Sequence, residues 1–108
     1  MNKQWKLFAK LSEQCYSDMA SGKIHLSIWD QCYQQLKDII QEEREQNPEY
    51  AQELYEIDDN NDFLFGVEEW LLDYQDMLDT MREHKRLQTV CEELIAMFQW
   101  REDSPTNL

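Results

Sequence analysis

The two histidines are the first residues to test for metal or acid–base chemistry. His25 falls in a predicted loop and His84 in a predicted turn, and neither belongs to an H-E-x-x-H or E-x-x-H pattern. His84 and Cys91 are seven residues apart and can share a helix face. Two ligands do not close a tetrahedral zinc site, however. The sequence therefore predicts surface histidines and no metal site.

A nucleophilic site needs a base and an orienting group beside a Ser or Cys. Triads assemble from distant positions, so Ser-His-Asp and Cys-His pairings stay open on residue order alone. The chain has no G-x-S-x-G motif and no glycine-rich phosphate loop, and it contains only 2 glycines. We expect a non-enzymatic protein with no catalytic residue and no cofactor. A small helical enzyme or metal protein is a third possibility.

The Asp- and Asn-rich segment 58–62 raises the question of a calcium loop. An EF-hand loop needs Gly at its sixth position and a bidentate Glu at its twelfth. Counted from Asp58, these positions hold Phe63 and Glu69, so the Glu is present and the Gly is missing. The segment is therefore predicted to be a solvated linker in which Asp62 caps a helix beginning at Phe63.

Negative charge is concentrated in the second half of the chain. Lys and Arg number 10 and Asp and Glu number 23, which gives a net charge of −13. Residues 1–54 hold 6 bases and 9 acids, whereas residues 55–108 hold 4 bases and 14 acids. This balance disfavours direct binding to nucleic acid and to anionic membranes, because both need a basic surface.

Four of the acids are predicted to share one side of the fourth helix, and they are Asp62, Glu69, Asp73 and Asp76. One interpretation is a solvated outer face that keeps the protein soluble. The other is an electrostatic surface for a basic partner. Trp100, just beyond the apolar stretch of the last helix, is a candidate exposed anchor. We take these five residues as the candidate partner-binding set.

Apolar residues recur at helical spacing in five segments, and no segment has a clear strand pattern. The predicted fold is all-α, with four to five antiparallel helices in two helical hairpins, as a bundle or a stack. One domain, 1–108, is expected to comprise a hairpin over 2–46, a short helix over 48–57, the linker 58–62 and a hairpin over 63–101. Gly22 is predicted to be the left-handed C-cap of the first helix, and Asn47-Pro48 to start the short helix.

The cysteines and the amino terminus bear on the cellular compartment. Cys15, Cys32 and Cys91 are odd in number and include no C-x-x-C motif. They predict buried free thiols in a reducing compartment. The first residues lack the apolar core of a signal peptide, and no stretch is apolar over the length of a transmembrane helix. We therefore expect a cytoplasmic protein.

One spaced set of residues in the last two predicted helices, over about residues 70–107, matches a repeat pattern. Its members are Tyr74, Met77, Leu78, Met81, Val90, Leu94 and Met97. This spacing resembles a degenerate tetratricopeptide-repeat hairpin. The chain departs from that consensus at Leu78, Val90 and Glu102, where the family has Gly, Ala and Pro. The resemblance implies helical pairs that stack into a curved protein-binding surface.

These features lead to two functional hypotheses. The first is a non-enzymatic protein–protein interaction module, an adaptor or a small inhibitor, that uses its helical faces. The second is an acidic nucleic-acid mimic or immunity-type inhibitor that occupies a basic site on a partner enzyme. The expected partner is a protein in both cases, and the amphipathic fourth helix is also compatible with a homodimer.

Overall fold

The computed structural model describes residues 3–59 and 66–98, and these residues form five α-helices. The helices are α1 (Lys3–Ala20), α2 (Leu26–Gln46), α3 (Tyr55–Asp59), α4 (Val67–Thr80) and α5 (His84–Met97). No strand occurs in the two described stretches, and the all-α prediction is confirmed. None of the helices within them is long and apolar enough to cross a membrane. The chain divides into two compact units, one containing α1 and α2 and the other containing α3, α4 and α5.

In the first unit, α1 and α2 form an antiparallel pair that buries one stripe of each helix. The buried residues are Trp5, Phe8, Ser12 and Cys15 in α1, and Trp29, Cys32, Tyr33, Leu36, Ile39 and Ile40 in α2. The rings of Tyr16 and Trp29 are in edge-on contact, with their centroids 5.7 Å apart, near the end of the pair where the turn joins the two helices. Toward the other end of the pair, the side-chain amide of Gln35 donates a hydrogen bond to the backbone carbonyl of Gln4 at 3.4 Å. Each buried leucine-sized side chain stabilises the pair by about 2 kcal/mol.

The turn between α1 and α2 depends on Gly22, which has a φ of +83°. The Gly22 N–H donates to the carbonyl of Met19 at 3.1 Å, and the Lys23 N–H donates to that of Asp18 at 3.0 Å. These two bonds form a Schellman motif, in which a left-handed residue satisfies the last carbonyls of a helix. The predicted role of Gly22 is confirmed.

In the second unit, α4 packs against both α3 and α5. The buried residues of α4 are Val67, Trp70, Leu71, Tyr74, Met77 and Leu78, and those of α5 are Val90 and Leu94. The Trp70 and Tyr74 rings, one helical turn apart, stack with their centroids at 5.1 Å and an interplanar angle of 20°. Ile57 contributes a fully buried side chain from α3. The acidic α4 is thus held by a continuous apolar stripe on its other side.

The turn between α4 and α5 has the same arrangement with no glycine. The Arg82 N–H donates to the carbonyl of Asp79 at 3.0 Å, and the Glu83 N–H donates to that of Leu78 at 2.9 Å. The left-handed position is occupied by Arg82, with a φ of +59°. A residue with a Cβ in this conformation costs about 1–2 kcal/mol relative to the right-handed region.

The short helix differs from the prediction, because it begins at Tyr55 and not at Pro48. Ala51 has a φ of +46°, which no right-handed helix accommodates. The preceding turn is held by the Asn47 side chain, which accepts a hydrogen bond from the Glu49 N–H at 3.3 Å. A second bond runs from Nε of Arg44 to the carbonyl of Tyr50 at 3.1 Å. Residues 48–51 therefore form turns, and α3 has only five residues.

The second hairpin also differs from the predicted range of 63–101. Its first helix, α4, begins at Val67 because Gly66 has an extended backbone and is its N-cap. Its last helix, α5, ends at Met97, and Phe98 is again extended. Asp58 and Asp59 of the expected linker belong to α3. The rest of that linker, including Asp62 and its expected capping role, lies outside the described residues.

We expect substitutions at the left-handed positions of the two turns, Arg82→Gly and Gly22→Ala, to change stability in opposite directions. Arg82→Gly is expected to stabilise the protein by about 1 kcal/mol, because glycine adopts the left-handed conformation without a Cβ clash. Gly22→Ala is expected to destabilise it by about 1 kcal/mol for the same reason. The space around Gly22 is open, so backbone conformation alone accounts for this effect. Urea denaturation followed by circular dichroism measures both changes.

Arg82→Ala is the matched control, because it removes the charge and length of the side chain but keeps the Cβ. We expect it to leave the urea midpoint close to that of the wild type. A gain for Arg82→Ala equal to that for Arg82→Gly would show that the side chain, and not the backbone conformation, causes the effect.

Candidate functional site

The solvent-facing side of α4 is acidic along its whole length. It carries five carboxylates and no Lys or Arg. Glu69 and Asp76 are exposed and Asp73 is half-buried. Because residues three or four apart share one side of a helix, these three carboxylates lie together. The structure thus brings together three of the five predicted partner-binding residues.

The other two members of that set lie outside the described residues. Asp62 precedes α4 and Trp100 follows α5 in the chain. Their positions relative to the acidic side of α4 stay predictions.

Leu72 is an apolar residue within the acidic side of α4, and 37% of its surface is exposed. It is four residues from Glu68 and from Asp76, and three residues from Glu69. We call this surface the acidic face of α4, and its members are Glu68, Glu69, Leu72, Asp73, Asp76 and Asp79. Sequence reasoning missed Leu72 because it followed the apolar stripe. The signal available in the sequence was a leucine at a helix position outside the apolar stripe.

A second exposed apolar residue, Ile95, lies on the neighbouring helix α5 with 47% of its surface exposed. Ile95 is one turn beyond Cys91, whose thiol donates to Oε1 of Gln75 at 3.5 Å and so joins α5 to α4. Leu72 is three residues before Gln75. Since the helices run antiparallel, Leu72 and Ile95 lie at the same level on the side of the hairpin marked by this hydrogen bond.

A weak polar contact marks the same side of the hairpin near its turn. Nδ1 of His84 lies 4.0 Å from a carboxylate oxygen of Asp79, and both side chains are well exposed. We call the surface that runs from this pair to Leu72 and Ile95 the outer side of the α4–α5 hairpin. It joins part of the acidic face of α4 to α5.

The three cysteines are free thiols. Cys15 and Cys32 are fully buried where α1 meets α2, and Sγ of Cys32 lies 3.9 Å from the carbonyl of Phe8. Burial raises the pKa of the Cys32 thiol, and the hydrogen bond with the Cys15 thiol raises it further. Burial also raises the pKa of the half-buried Cys91. A raised pKa leaves less of the nucleophilic thiolate at neutral pH for both Cys32 and Cys91.

In the part of the chain that the structure describes, neither histidine belongs to a cluster of metal ligands. Nδ1 of His25 lies 3.2 Å from the carboxylate of Asp18, at an exposed position between α1 and α2. Within residues 3–59 and 66–98, no group of three or more His, Cys, Asp or Glu side chains could hold a metal ion. Cys91 contacts Gln75 and His84 contacts Asp79, so the two residues have different partners on α4.

Comparison of the chain with known protein families, with characterised proteins and with solved structures finds no match. The tetratricopeptide resemblance stays a prediction, and α4 and α5 form a helical hairpin in the region that carries it.

The cysteine environments predict a strong difference in reactivity between the folded and unfolded protein. At neutral pH, a thiol reagent such as iodoacetamide should label Cys15 and Cys32 only after unfolding in urea. Cys91 should react in the folded protein more slowly than a free thiol, because a raised pKa leaves less thiolate at neutral pH. Its labelling rate should rise as the pH is raised. Mass spectrometry of the labelled peptides measures all three.

Fast labelling of Cys32 in the folded protein at neutral pH would contradict its burial between α1 and α2. Denatured protein supplies the reference rate for each thiol, since all three are then exposed to the reagent.

Proposed function

We propose that the chain is a non-enzymatic protein-interaction module, an adaptor or small inhibitor, that binds its partner through its second helical hairpin. The observation that carries the proposal is the acidic face of α4, where exposed and half-buried carboxylates surround the exposed side chain of Leu72. Such a surface offers long-range attraction and a point of apolar contact together. Protein interfaces combine the same two elements, with charge governing encounter and apolar anchors governing affinity.

The charge of the chain supports a protein partner over other macromolecules. A net charge of −13 repels nucleic acid and anionic lipid headgroups alike. We infer a cytoplasmic location as well, because three free thiols persist in a reducing compartment. The partner would then be a protein of that compartment with a basic surface.

A second candidate function is nucleic-acid mimicry, in which the acidic face of α4 occupies a basic site on a partner enzyme. It is favoured by the placement of Glu69, Asp73 and Asp76 on one side of one helix, held by the stripe below. A row of carboxylates on a rigid support resembles a row of phosphates in charge and order. This alternative differs from the first in one respect: duplex DNA or RNA would compete with the chain for the partner.

Site-specific photo-crosslinking tests the interaction function directly. A photoreactive amino acid replaces Asp76 in one variant and Gln31, an exposed residue of α2, in a matched control. We expect a discrete crosslinked protein from source cells with the first variant and not with the second. The captured protein, once purified, should form a stoichiometric complex with the wild-type chain in isothermal titration calorimetry. Turnover of a defined substrate by the chain alone, with no such complex, would overturn the proposal.

Charge reversal tests whether the acidic face of α4 makes the contact. The triple variant Glu69→Lys, Asp73→Lys and Asp76→Lys is expected to weaken partner binding by about tenfold or more, because attraction becomes repulsion. The fold should persist, since Glu69 and Asp76 are exposed, Asp73 is only half-buried, and lysine has a good helix propensity. Calorimetry with the captured partner measures the affinity, and circular dichroism confirms the helical content.

The matched control is Glu13→Lys, Glu45→Lys and Glu49→Lys, three exposed positions in the first half of the chain. It changes the net charge by the same amount at a different place. If both triple variants weaken binding equally, overall charge and not the acidic face is responsible. Displacement of the partner by a duplex oligonucleotide would favour the mimic over the adaptor.

A further inference from the structure

The outer side of the α4–α5 hairpin presents two apolar side chains at one level, one from each helix. Leu72 is 37% exposed and Ile95 is 47% exposed. Single exposed apolar residues are ordinary on protein surfaces. Here two of them lie beside the hydrogen bond between Cys91 and Gln75 that joins the helices. Each helix thus offers one exposed apolar side chain to another molecule on this side.

Carboxylates flank this apolar pair on both helices. Glu68 and Asp76 are each one turn from Leu72 on α4, and Asp79 is two turns away. On α5, the exposed Glu92 lies three residues before Ile95 and accepts a hydrogen bond from the amide of Gln88 at 3.1 Å. The apolar pair is therefore bordered by negative charge on its two long sides.

We propose that the outer side of the α4–α5 hairpin binds an amphipathic basic segment of a partner protein. Its apolar stripe contacts Leu72 and Ile95, and Lys or Arg residues on both flanks pair with carboxylates of α4 and α5. The proposal rests on the interaction function above and specifies the chemistry of the partner and the place of contact. A helix laid in a groove recognises its site in this manner, with apolar anchors spaced three or four residues apart.

Charge complementarity favours a basic segment over a second copy of the chain, a lipid surface or an uncharged segment. A second copy packed symmetrically, with this surface on both chains, would bring the same carboxylates together, since α4 has five acids and no base. Like charges brought together at an interface are unfavourable. An anionic lipid surface is repelled for the same reason. An uncharged apolar segment would bury the flanking carboxylates without a compensating charge, which is costly.

A defined peptide tests the proposal with the full chain. The probe is a synthetic helix-forming peptide of about 18 residues, long enough for several turns, with leucines at i, i+3, i+4 and i+7 and lysines on both flanks. It is titrated into the isotope-labelled protein and followed by nuclear magnetic resonance. The amide shifts are expected to cluster at residues 68–79 and 88–95. A peptide with glutamate in place of every lysine is expected not to bind.

Leu72→Gln with Ile95→Gln removes both apolar contacts and keeps residues of good helix propensity. We expect this double variant to weaken peptide binding by about tenfold. The matched control is Leu7→Gln with Ile24→Gln, which alters two residues of similar exposure, 46% and 41%, in the other unit. That control should bind the lysine peptide as the wild type does.

Several outcomes would overturn the proposal. These are equal binding of the glutamate peptide, unchanged binding by the Leu72/Ile95 variant, or shifts that cluster away from the hairpin. Dimerisation of the wild-type chain that the same double variant abolishes would assign the surface to a second copy instead.

The tests separate this proposal from the interaction function on which it rests. If the captured partner binds the Leu72/Ile95 variant as tightly as the wild type, this proposal fails and the interaction function stands. If the lysine peptide depends on Leu72 and Ile95 but no cellular protein forms a complex, the peptide site stands and the interaction function fails.

Discussion

Each pair of long helices depends on one residue with a left-handed backbone. An apolar stripe is buried only if the chain reverses sharply enough for two stripes to face each other. Gly22 permits this reversal between α1 and α2. Arg82 permits it between α4 and α5 with the same pair of backbone hydrogen bonds, and the buried stripes offset the cost of its conformation. The acidic face of α4 and the outer side of its hairpin have their geometry because that second turn closes.

Much of the fold could be predicted from the sequence because apolar periodicity reports directly on helical burial. The four long helices follow from it, and Gly22 follows from the conformational freedom of glycine. The start of α3 could not be predicted, because alanine is a strong helix former and nothing local indicates the left-handed conformation of Ala51. Arg82 was missed for the same reason. Tertiary packing overrides intrinsic preference at both positions.

Part of the candidate site could also be predicted from the sequence, and part of it could not. Glu69, Asp73 and Asp76 could be placed on one side of a helix from their spacing alone, and the structure places them there. The partnership of Leu72 with Ile95 could not be found in this way, because it depends on how two helices align. The hydrogen bond between Cys91 and Gln75 reveals that alignment, and it joins residues 16 positions apart.

The distribution of acids along α4 links the stability of the hairpin to whether a basic partner is bound. Glu68 and Glu69 interact favourably with the positive end of the helix dipole, whereas Asp76 and Asp79 lie near its negative end. Cations brought to that end by a partner would remove this unfavourable interaction. By thermodynamic linkage, whatever binds the folded hairpin more tightly than the unfolded chain also raises its melting temperature. The carboxylates that attract a basic partner therefore make the hairpin less stable on its own than in the complex.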